Sequence, residues 1–491
     1  MNALSFQRPV TTTLLTLSIT VLAILFPSRV TSQLIGIKTV PVATGDQFLI
    51  YPSANLALGG VSIAMNDLLL DPFSNPAKGA RLEETLIVGS PTFYLISDHN
   101  GAGRTIPITF LAGSDSWFGG GSFALQQIMA ADRWNWWGPN TGQPLRDRSA
   151  RNLYLHGFFG RMLGESGLSL GGSLSWAGLG ALDGVEHLYA FSERIEQDGH
   201  SVDLRLGLLG EWESGRSFEV LLLHNRFDMT HEVHYLDWIW HQDREIGEGV
   251  PRMERNLDQT NTSGLHLGFA QPLTRSGWRF GAATTVNRKS HPKIPNYEIQ
   301  NIPRDPGDSW AYDFGVGIAK TGERATYGID LVLEPISSYT WADAASDTVG
   351  SIGNLVRAGE KTVENEFFFL NARIRMGIGH DFGWGGFQLG LQMRSIRYDL
   401  TQTSHIKGST RNQRESWMEW TPSWGLHFGL AEFDLRYRGR LITGTGRPGV
   451  AMTGMAELAA DADFLPAPEG PLTLRDAWVM THQISVSMPI R

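Results

Sequence analysis

The chain has 491 residues and a net charge of −9 at pH 7, with 19 % charged residues, 56 glycines and 16 tryptophans. The acidic balance gives no support to nucleic-acid binding, which needs a basic surface. The absence of cysteine excludes disulfide bonds and thiolate metal sites.

The N-terminus has the pattern of an export signal. Arg8 precedes an apolar run from Thr11 to Phe26, and Val30 and Ser32 are small enough for a cleavage site. We therefore predict a signal peptide over residues 1–32. An uncleaved anchor is the alternative, although the run is short for a spanning helix of about 20 residues. After Ser32 no stretch is apolar enough for another such helix, so the mature chain is either soluble or a membrane-spanning β-barrel.

Residues 84–491 are dominated by a period of two. In the segment from Val202 to Trp212, leucines alternate with Asp203, Arg205 and Glu211. Strict alternation predicts strands with one apolar and one wet face. About sixteen such segments occur, and short turns alternate with long connections such as 132–150 and 228–262.

This rhythm is typical of an outer-membrane barrel, because only a closed sheet or a helix pairs every backbone group inside hydrocarbon. We predict an all-β fold, a transmembrane antiparallel β-barrel of roughly 14–16 strands. A soluble sandwich or propeller is the alternative. Tryptophans near strand ends, where interfacial girdles lie, favour the barrel; they are Trp117, Trp176, Trp212, Trp278, Trp384 and Trp424.

A small-residue segment, Ala54–Ala80, precedes the strands. It resembles the N-terminal signature of the FadL-type outer-membrane transporter family, including its PorV-like relatives of type IX secretion. The matching positions are Ala57, Gly59, Gly60, Asp67, Asn75, Pro76 and Ala77. The chain departs from the family pattern in two ways: the aromatic residue is displaced to Phe73, and our strand count exceeds the family's usual fourteen. In addition, barrel-assembly signals usually end on an aromatic residue, whereas this sequence ends on Arg491.

The resemblance implies that residues 33–83 form a hatch inside or beneath the lumen of a barrel formed by residues 84–491. Small residues would let a compact segment fit within a crowded wall. A simple periplasmic arm is the alternative. The hatch residues expected from the resemblance are Gly59, Gly60, Asp67, Asn75, Pro76 and Ala77.

Two features of the strands bear on transport. Pro91 and Pro107 lie in neighbouring strands and lack ladder donors, which predicts a lateral seam; ordinary bulges are the alternative. A second set of charged residues is expected to line the lumen, paired with each other or with the hatch, where it would favour anionic head groups. This set is Arg373, Arg375, Arg394, Glu432, Asp434, Arg436, Arg438 and Arg440.

We therefore expect a channel in a Gram-negative outer membrane for passive uptake of small hydrophobic or amphipathic, fatty-acid-like molecules. The alternative is a PorV-like barrel that holds an exported or surface protein without moving a solute. Expected partners are the lipid bilayer, lipopolysaccharide, the barrel-assembly machinery and either a small hydrophobic ligand or an exported protein. No enzymatic activity, cofactor or metal is expected, and the histidines of 224–241 fit a solvated loop.

Overall fold

The computed structural model describes residues 51–97, 101–130, 148–182, 192–241, 246–273, 277–291, 307–344, 346–448 and 474–490. The predicted signal peptide, residues 33–50 of the predicted hatch and most of the predicted loop 132–150 lie outside these residues. Within the described ranges, no helix has the length and apolar character needed to cross a membrane.

Long antiparallel strands make up most of the structure. A small separate hairpin is formed by β13 and β14. The strands are β1 (Thr85–Gly89), β2 (Thr92–Ile96), β3 (Ala102–Gly113), β4 (Trp117–Met129), β5 (Ser149–Met162), β6 (Leu168–Leu179), β7 (Ser192–Glu211), β8 (Ser217–His241), β9 (Ile246–Pro272), β10 (Trp278–His291), β11 (Gly307–Thr321), β12 (Ala325–Asp343), β13 (Thr348–Val349), β14 (Leu355–Val356), β15 (Lys361–Asp381), β16 (Gly385–Ser404), β17 (Ser409–Gly429), β18 (Asp434–Pro448) and β19 (Leu474–Ile490).

The sheet closes on itself. Strands β1 and β2 both pair with β19 on one side and β3 on the other, in a single register. They therefore form one barrel strand, interrupted at Ser90 and Pro91. From β3 onward each strand pairs with the next, apart from the β13–β14 hairpin. The result is a closed barrel of 16 strands, which confirms the predicted fold class.

The period of two in the sequence corresponds to side chains that face alternately into and out of the barrel. On β7, Leu204 and Leu206 are 49 % and 52 % exposed on the outer face, whereas Asp203 is buried inside. Exposed Leu, Ile and Phe side chains continue around the barrel as an apolar belt. Trp117, Trp212 and Trp384 are exposed at the end where the short turns lie. An apolar belt bordered by aromatic residues is the exterior of a barrel in lipid.

The long loop predicted at 228–262 is wrong. Strands β8 and β9 continue through it and remain paired from Ser217↔Ala270 to His241↔Ile246. The outward residues of β8 are polar from His224 onward, as Arg226 and Asp228 show. The alternation of apolar and polar residues, from which strands are predicted, is therefore absent in this segment. Arg226 and His200 pair with Asp228 at 2.8 and 3.5 Å on this outer surface. The strands therefore extend past the apolar belt.

Residues 51–83, which we call the hatch, consist of short turns. They are the 3-10 turn Leu56–Leu58, the single helical turn Asp71–Ser74 and the 3-10 turn Pro76–Arg81. Gly59 and Gly60 have φ of 70° and 77°, a backbone region that favours glycine. The helical turn ends before Asn75, whose side-chain oxygen accepts from the Ala77 amide at 3.1 Å.

Candidate functional site

The hatch lies against inward-facing glycines of the barrel wall. A Cβ atom at Gly390 would come within 2.0 Å of the Gly59 nitrogen, and one at Gly377 within 2.4 Å of the Leu58 oxygen. Gly328, Gly377 and Gly390 are direct cross-strand neighbours. The wall thus lacks side chains where the hatch backbone passes. Further glycines that contact the hatch are Gly171, Gly207, Gly281, Gly315, Gly317 and Gly425.

Wall side chains also anchor the hatch by hydrogen bonds. The Ser423 hydroxyl accepts from the Gly59 amide at 3.1 Å and donates to the Ala57 carbonyl at 3.0 Å. The Asp330 carboxylate accepts from the Ser62 amide at 2.8 Å. These bonds satisfy backbone groups that no regular secondary structure pairs, so the first half of the hatch is held by β12 and β17.

Asp67 organises the hatch internally. Its carboxylate is 4 % exposed. It accepts from the Ser53 hydroxyl at 2.6 Å and from the amides of Ala54 and Asn55 at 2.8 and 3.0 Å. It also accepts from the amides of Leu69 and Leu70. Asp67 therefore closes the segment 53–67 into a loop, because one buried anion satisfies both of its ends.

Buried ion pairs hold the second half of the hatch. Arg81 contacts Asp71 at 2.8 Å and Glu211 at 3.0 Å, and Lys78 contacts Glu219 at 3.0 Å. Burial raises the pKa of Asp71, against the opposing effect of Lys78 and Arg81. Burial alone would lower the pKa of Lys78, but Asp71 and Glu219 outweigh it and raise that pKa. Asp71 and Lys78 therefore both give up a proton less readily than the free side chains do.

All six residues predicted for the hatch lie in this segment. Gly59 and Gly60 form its turn, Asp67 closes its loop, and Asn75 donates to Glu219 at 2.9 Å. Pro76 and Ala77 pack over Gly171 of β6. Whether these residues gate a passage stays a prediction.

The hatch and the wall border a pocket of about 130 Å³ with a mixed polar and apolar lining. Its lining includes Lys78, Glu219, His266, Asp313 and Arg375. A single water molecule needs only about 10–15 Å³ of such space. The cavity therefore has room for water or a small polar group beside the hatch.

Two of the three predicted lumen-lining arginines of β15 and β16 pair with the same carboxylate. Arg373 forms a short ion pair with Glu334 of β12, and Arg394 contacts the other oxygen of Glu334 at 3.2 Å. Arg375 is buried and donates to the Ser62 hydroxyl of the hatch at 3.3 Å. These arginines face inward, and Glu334 lies between two of them.

The β18 residues behave differently. Arg436 pairs with the exposed Asp434 at 3.0 Å, and Arg438 donates to the amide oxygen of Gln483 at 3.1 Å. Arg440 lies on the same inward face of the strand, opposite Thr481. Glu432 does not line the lumen: it is exposed in the turn before β18. The alternation of charged residues in the sequence continues beyond the start of the strand, into the turn where the chain reverses.

The alternation pattern does not reveal a mostly buried apolar cluster on the inner face of the barrel wall. Phe369 and Tyr398 are 7 % and 0 % exposed, with ring centroids 5.7 Å apart. The run Phe367–Phe369 carries the missed signal, because it places aromatic residues on both faces of one strand. We call this cluster the apolar lumen patch; it comprises Ile336, Phe367, Phe369, Ile396, Tyr398, Leu400 and Trp417.

The predicted seam is a local loss of hydrogen bonds within a closed wall. The register of pairing is the same on both sides of Ser90 and Pro91, so the ladder is not open there. The Ser90 amide donates to the Pro107 carbonyl at 3.3 Å, but Pro107 has no N–H to return. The Thr92 hydroxyl instead donates to the Ser90 carbonyl at 3.2 Å.

No protein-family model matches the sequence, and no curated protein matches it. Among solved structures, the chain is similar to a FadL homologue from Pseudomonas aeruginosa, with TM-score 0.45, 11 % identity and coverage of 90 % of this chain and 99 % of that chain. It is also similar to the toluene transporters TodX of Pseudomonas putida and TbuX of Ralstonia pickettii. Both have TM-score 0.39 and cover 89 % of this chain and 97 % of theirs, at 12 % and 10 % identity.

FadL-type barrels, which the sequence resemblance predicts, are thus among the solved structures similar to this chain. At these TM-scores the similarity carries no argument about family or substrate. The closed sheet, the apolar belt and the aromatic border define the class of this protein: it is a transmembrane β-barrel of the bacterial outer membrane.

Proposed function

We propose that the protein is a channel for passive uptake of small hydrophobic or amphipathic, fatty-acid-like molecules, gated by the hatch. The apolar lumen patch is the observation that carries this proposal. A barrel that passes ions or sugars needs a polar interior. Here four neighbouring strands, β12 and β15–β17, turn apolar side chains inward.

The patch ends at charged groups. Arg394 lies on the inward face of β16 two residues from Ile396, and Arg373 lies four residues from Phe369 on β15. A molecule with an apolar body and a polar end would bury the body against the aromatic rings and place its end near these arginines. The Glu334 carboxylate between them limits how strongly they would hold an anion.

The patch offers a matched pair of variants. Phe369 faces the lumen and is buried, whereas its neighbour Phe368 faces lipid and is 48 % exposed. We expect Phe369→Ala to reduce uptake of labelled fatty acids or aromatic hydrocarbons several-fold, because it removes ring contact from the route. Phe368→Ala is expected to leave uptake unchanged. If Phe369→Ala took up as much as Phe368→Ala, the apolar lumen patch would not lie on the route. If cells lacking the protein took up as much as cells that contain it, the protein would not be a channel for these molecules.

We further propose that the molecule leaves sideways through the wall at Ser90–Pro91. The support is the pair of missing donors at Pro91 and Pro107, which weakens the strand on both flanks at one level. Because the ladder is closed in register, this exit requires a transient separation of strands rather than a standing gap.

A disulfide would test the lateral exit, since the chain has no cysteine of its own. Gly89 and Ile108 are directly paired on the lipid face, next to the interruption. Directly paired residues are close enough for a disulfide bond. We expect Gly89→Cys with Ile108→Cys to transport when reduced and to lose uptake when oxidised. The same pair at Phe123 and Leu155 is the control. Undiminished uptake by the oxidised protein would exclude the lateral route.

A PorV-like role in holding an exported protein is the second candidate. The observation that favours it is the extension of β7, β8 and β9 past the apolar belt, which provides a paired sheet with an exposed polar face. Its ion pairs, such as Arg194–Glu196 at 3.1 Å, suit a protein surface in water. Normal surface display of exported proteins in cells without the barrel would exclude this role.

A further inference from the structure

The two groups of inward arginines differ in how their charge is neutralised. Arg373 and Arg394 share the buried Glu334. Arg438 of β18 is 3 % exposed and makes no ion pair within the described part of the chain. Its one side-chain partner is the neutral Gln483, and its Nη2 atom has no hydrogen-bond partner among the described residues.

Arg438 lines a cleft of about 170 Å³ at the short-turn end of the barrel. The cleft lies between β16–β18 and the hatch backbone at Ala54 and Asn55. The other polar residues of its lining are Asn55, Gln388, His427, Arg436 and Tyr437. The lining contains two arginines and a histidine but no carboxylate.

The nearby acids are already occupied. Asp434 pairs with Arg436 at 3.0 Å, and Asp381 contacts His427 at 3.1 Å. Asp67 attracts Arg438 electrostatically, but its carboxylate already accepts hydrogen bonds from five donors within the hatch. A buried guanidinium without an ion-pair partner is costly, since a carboxylate that does not contact it offsets only part of its desolvation.

We propose that this cleft is an oxyanion-binding site with Arg438 as its central ligand. A guanidinium presents parallel N–H donors that match a carboxylate or a phosphate. Arg436, whose side chain is 21 % exposed, lies at the solvent side of the cleft, where it can guide an anion in. The assignment does not depend on transport, because the cleft is formed by the hatch and wall as they stand.

Calorimetric titration of the purified full chain in detergent tests the site with three probes: hexanoate, inorganic phosphate and the neutral hexanol. We expect hexanoate or phosphate to bind about tenfold or more tightly than hexanol, the gain of one charge-assisted contact. Arg438→Gln is expected to abolish the preference, and Arg438→Lys to keep part of it. Arg414→Gln is the control, since Arg414 is 68 % exposed on the outer face and pairs with Asp399.

Heat-dependent migration on gels shows that each variant is folded. Equal binding of hexanoate and hexanol without phosphate binding would overturn the proposal, as would a folded Arg438→Gln variant that keeps the preference. Phosphate that displaces hexanoate identifies a site for free oxyanions, whereas hexanoate binding in excess phosphate identifies a carboxylate head-group site. Loss of uptake in the Phe369→Ala experiment is a separate result, so the two proposals fail independently.

Discussion

The two halves of the barrel interior are formed by the same strands but differ in their inward side chains, which are glycines in one half and aromatic residues in the other. Along β15 the inward residues include Phe367 and Phe369, then Arg373 and Arg375, then Gly377. At the glycine end the wall receives the hatch backbone at close range. At the aromatic end the wall presents the apolar lumen patch. The size of the inward side chain therefore decides whether the lumen holds the protein's own chain or an apolar surface.

Replacing the carboxylate at the boundary between these halves is expected to have the largest effect. Glu334→Gln leaves Arg373 and Arg394 without their shared counter-charge, which costs about 3 kcal/mol. Unfolding of the detergent-solubilised barrel in denaturant measures this loss. Glu196→Gln is the control, because its pair with Arg194 is 46 % exposed and contributes little. A Glu334→Gln barrel as stable as the control variant would contradict the role assigned to this carboxylate.

Adding a methyl group in the glycine half of the interior is expected to have the second-largest effect. Gly390→Ala places a Cβ where the Gly59 nitrogen lies, and relief of that overlap costs about 1–3 kcal/mol in displacement of the hatch. We expect higher single-channel conductance in planar bilayers and faster protease cleavage of residues 54–63. Gly157→Ala is the matched control, since its Cβ would meet nothing within 4 Å. Unchanged conductance and cleavage would mean that the close approach is not what seats the hatch.

The smallest effect is expected at the interruption in the first barrel strand. Thr92→Val removes the hydroxyl that donates to the Ser90 carbonyl and accepts from the Gln483 side-chain amide, a loss of about 1–2 kcal/mol. Hydrogen exchange at the amides of β2 should become faster, while Thr92→Ser retains the donor and the original rate. If Thr92→Val exchanged no faster than Thr92→Ser, the hydroxyl would contribute nothing to the strand.

The sequence pattern predicts the barrel because lipid requires every outward residue in the membrane to be apolar. Leu204 and Leu206 obey this rule, and so the strands could be placed. The rule ends where the strands leave the apolar belt, which is why 228–262 was predicted as a loop although β8 and β9 continue through it. Backbone pairing there does not depend on an apolar face, and nothing in the local pattern signals it.

The inside of the barrel is less predictable, because inward residues contact side chains that are distant in the sequence. The alternation predicts that Arg373 and Arg438 lie on the inner face. It does not predict that Glu334 neutralises the charge of Arg373 and not that of Arg438. The glycines that receive the hatch had a readable signal. Gly328, Gly377 and Gly390 are inward positions that the register brings side by side. Their meaning emerges only when the strands are aligned.

The path of the hatch ties its two ends to different parts of the sheet. Residues 76–81 contact β3–β7, whereas residues 56–58 contact β15–β18. The second half of the hatch can therefore dock on a sheet that contains only β3–β7, but the Ala57 carbonyl cannot accept from Ser423 until β17 is in place. An assembly intermediate that lacks β15–β18 would expose residues 56–63 to proteases while residues 76–81 are protected. Seating of Ala57 thus reports that the C-terminal strands have joined the sheet.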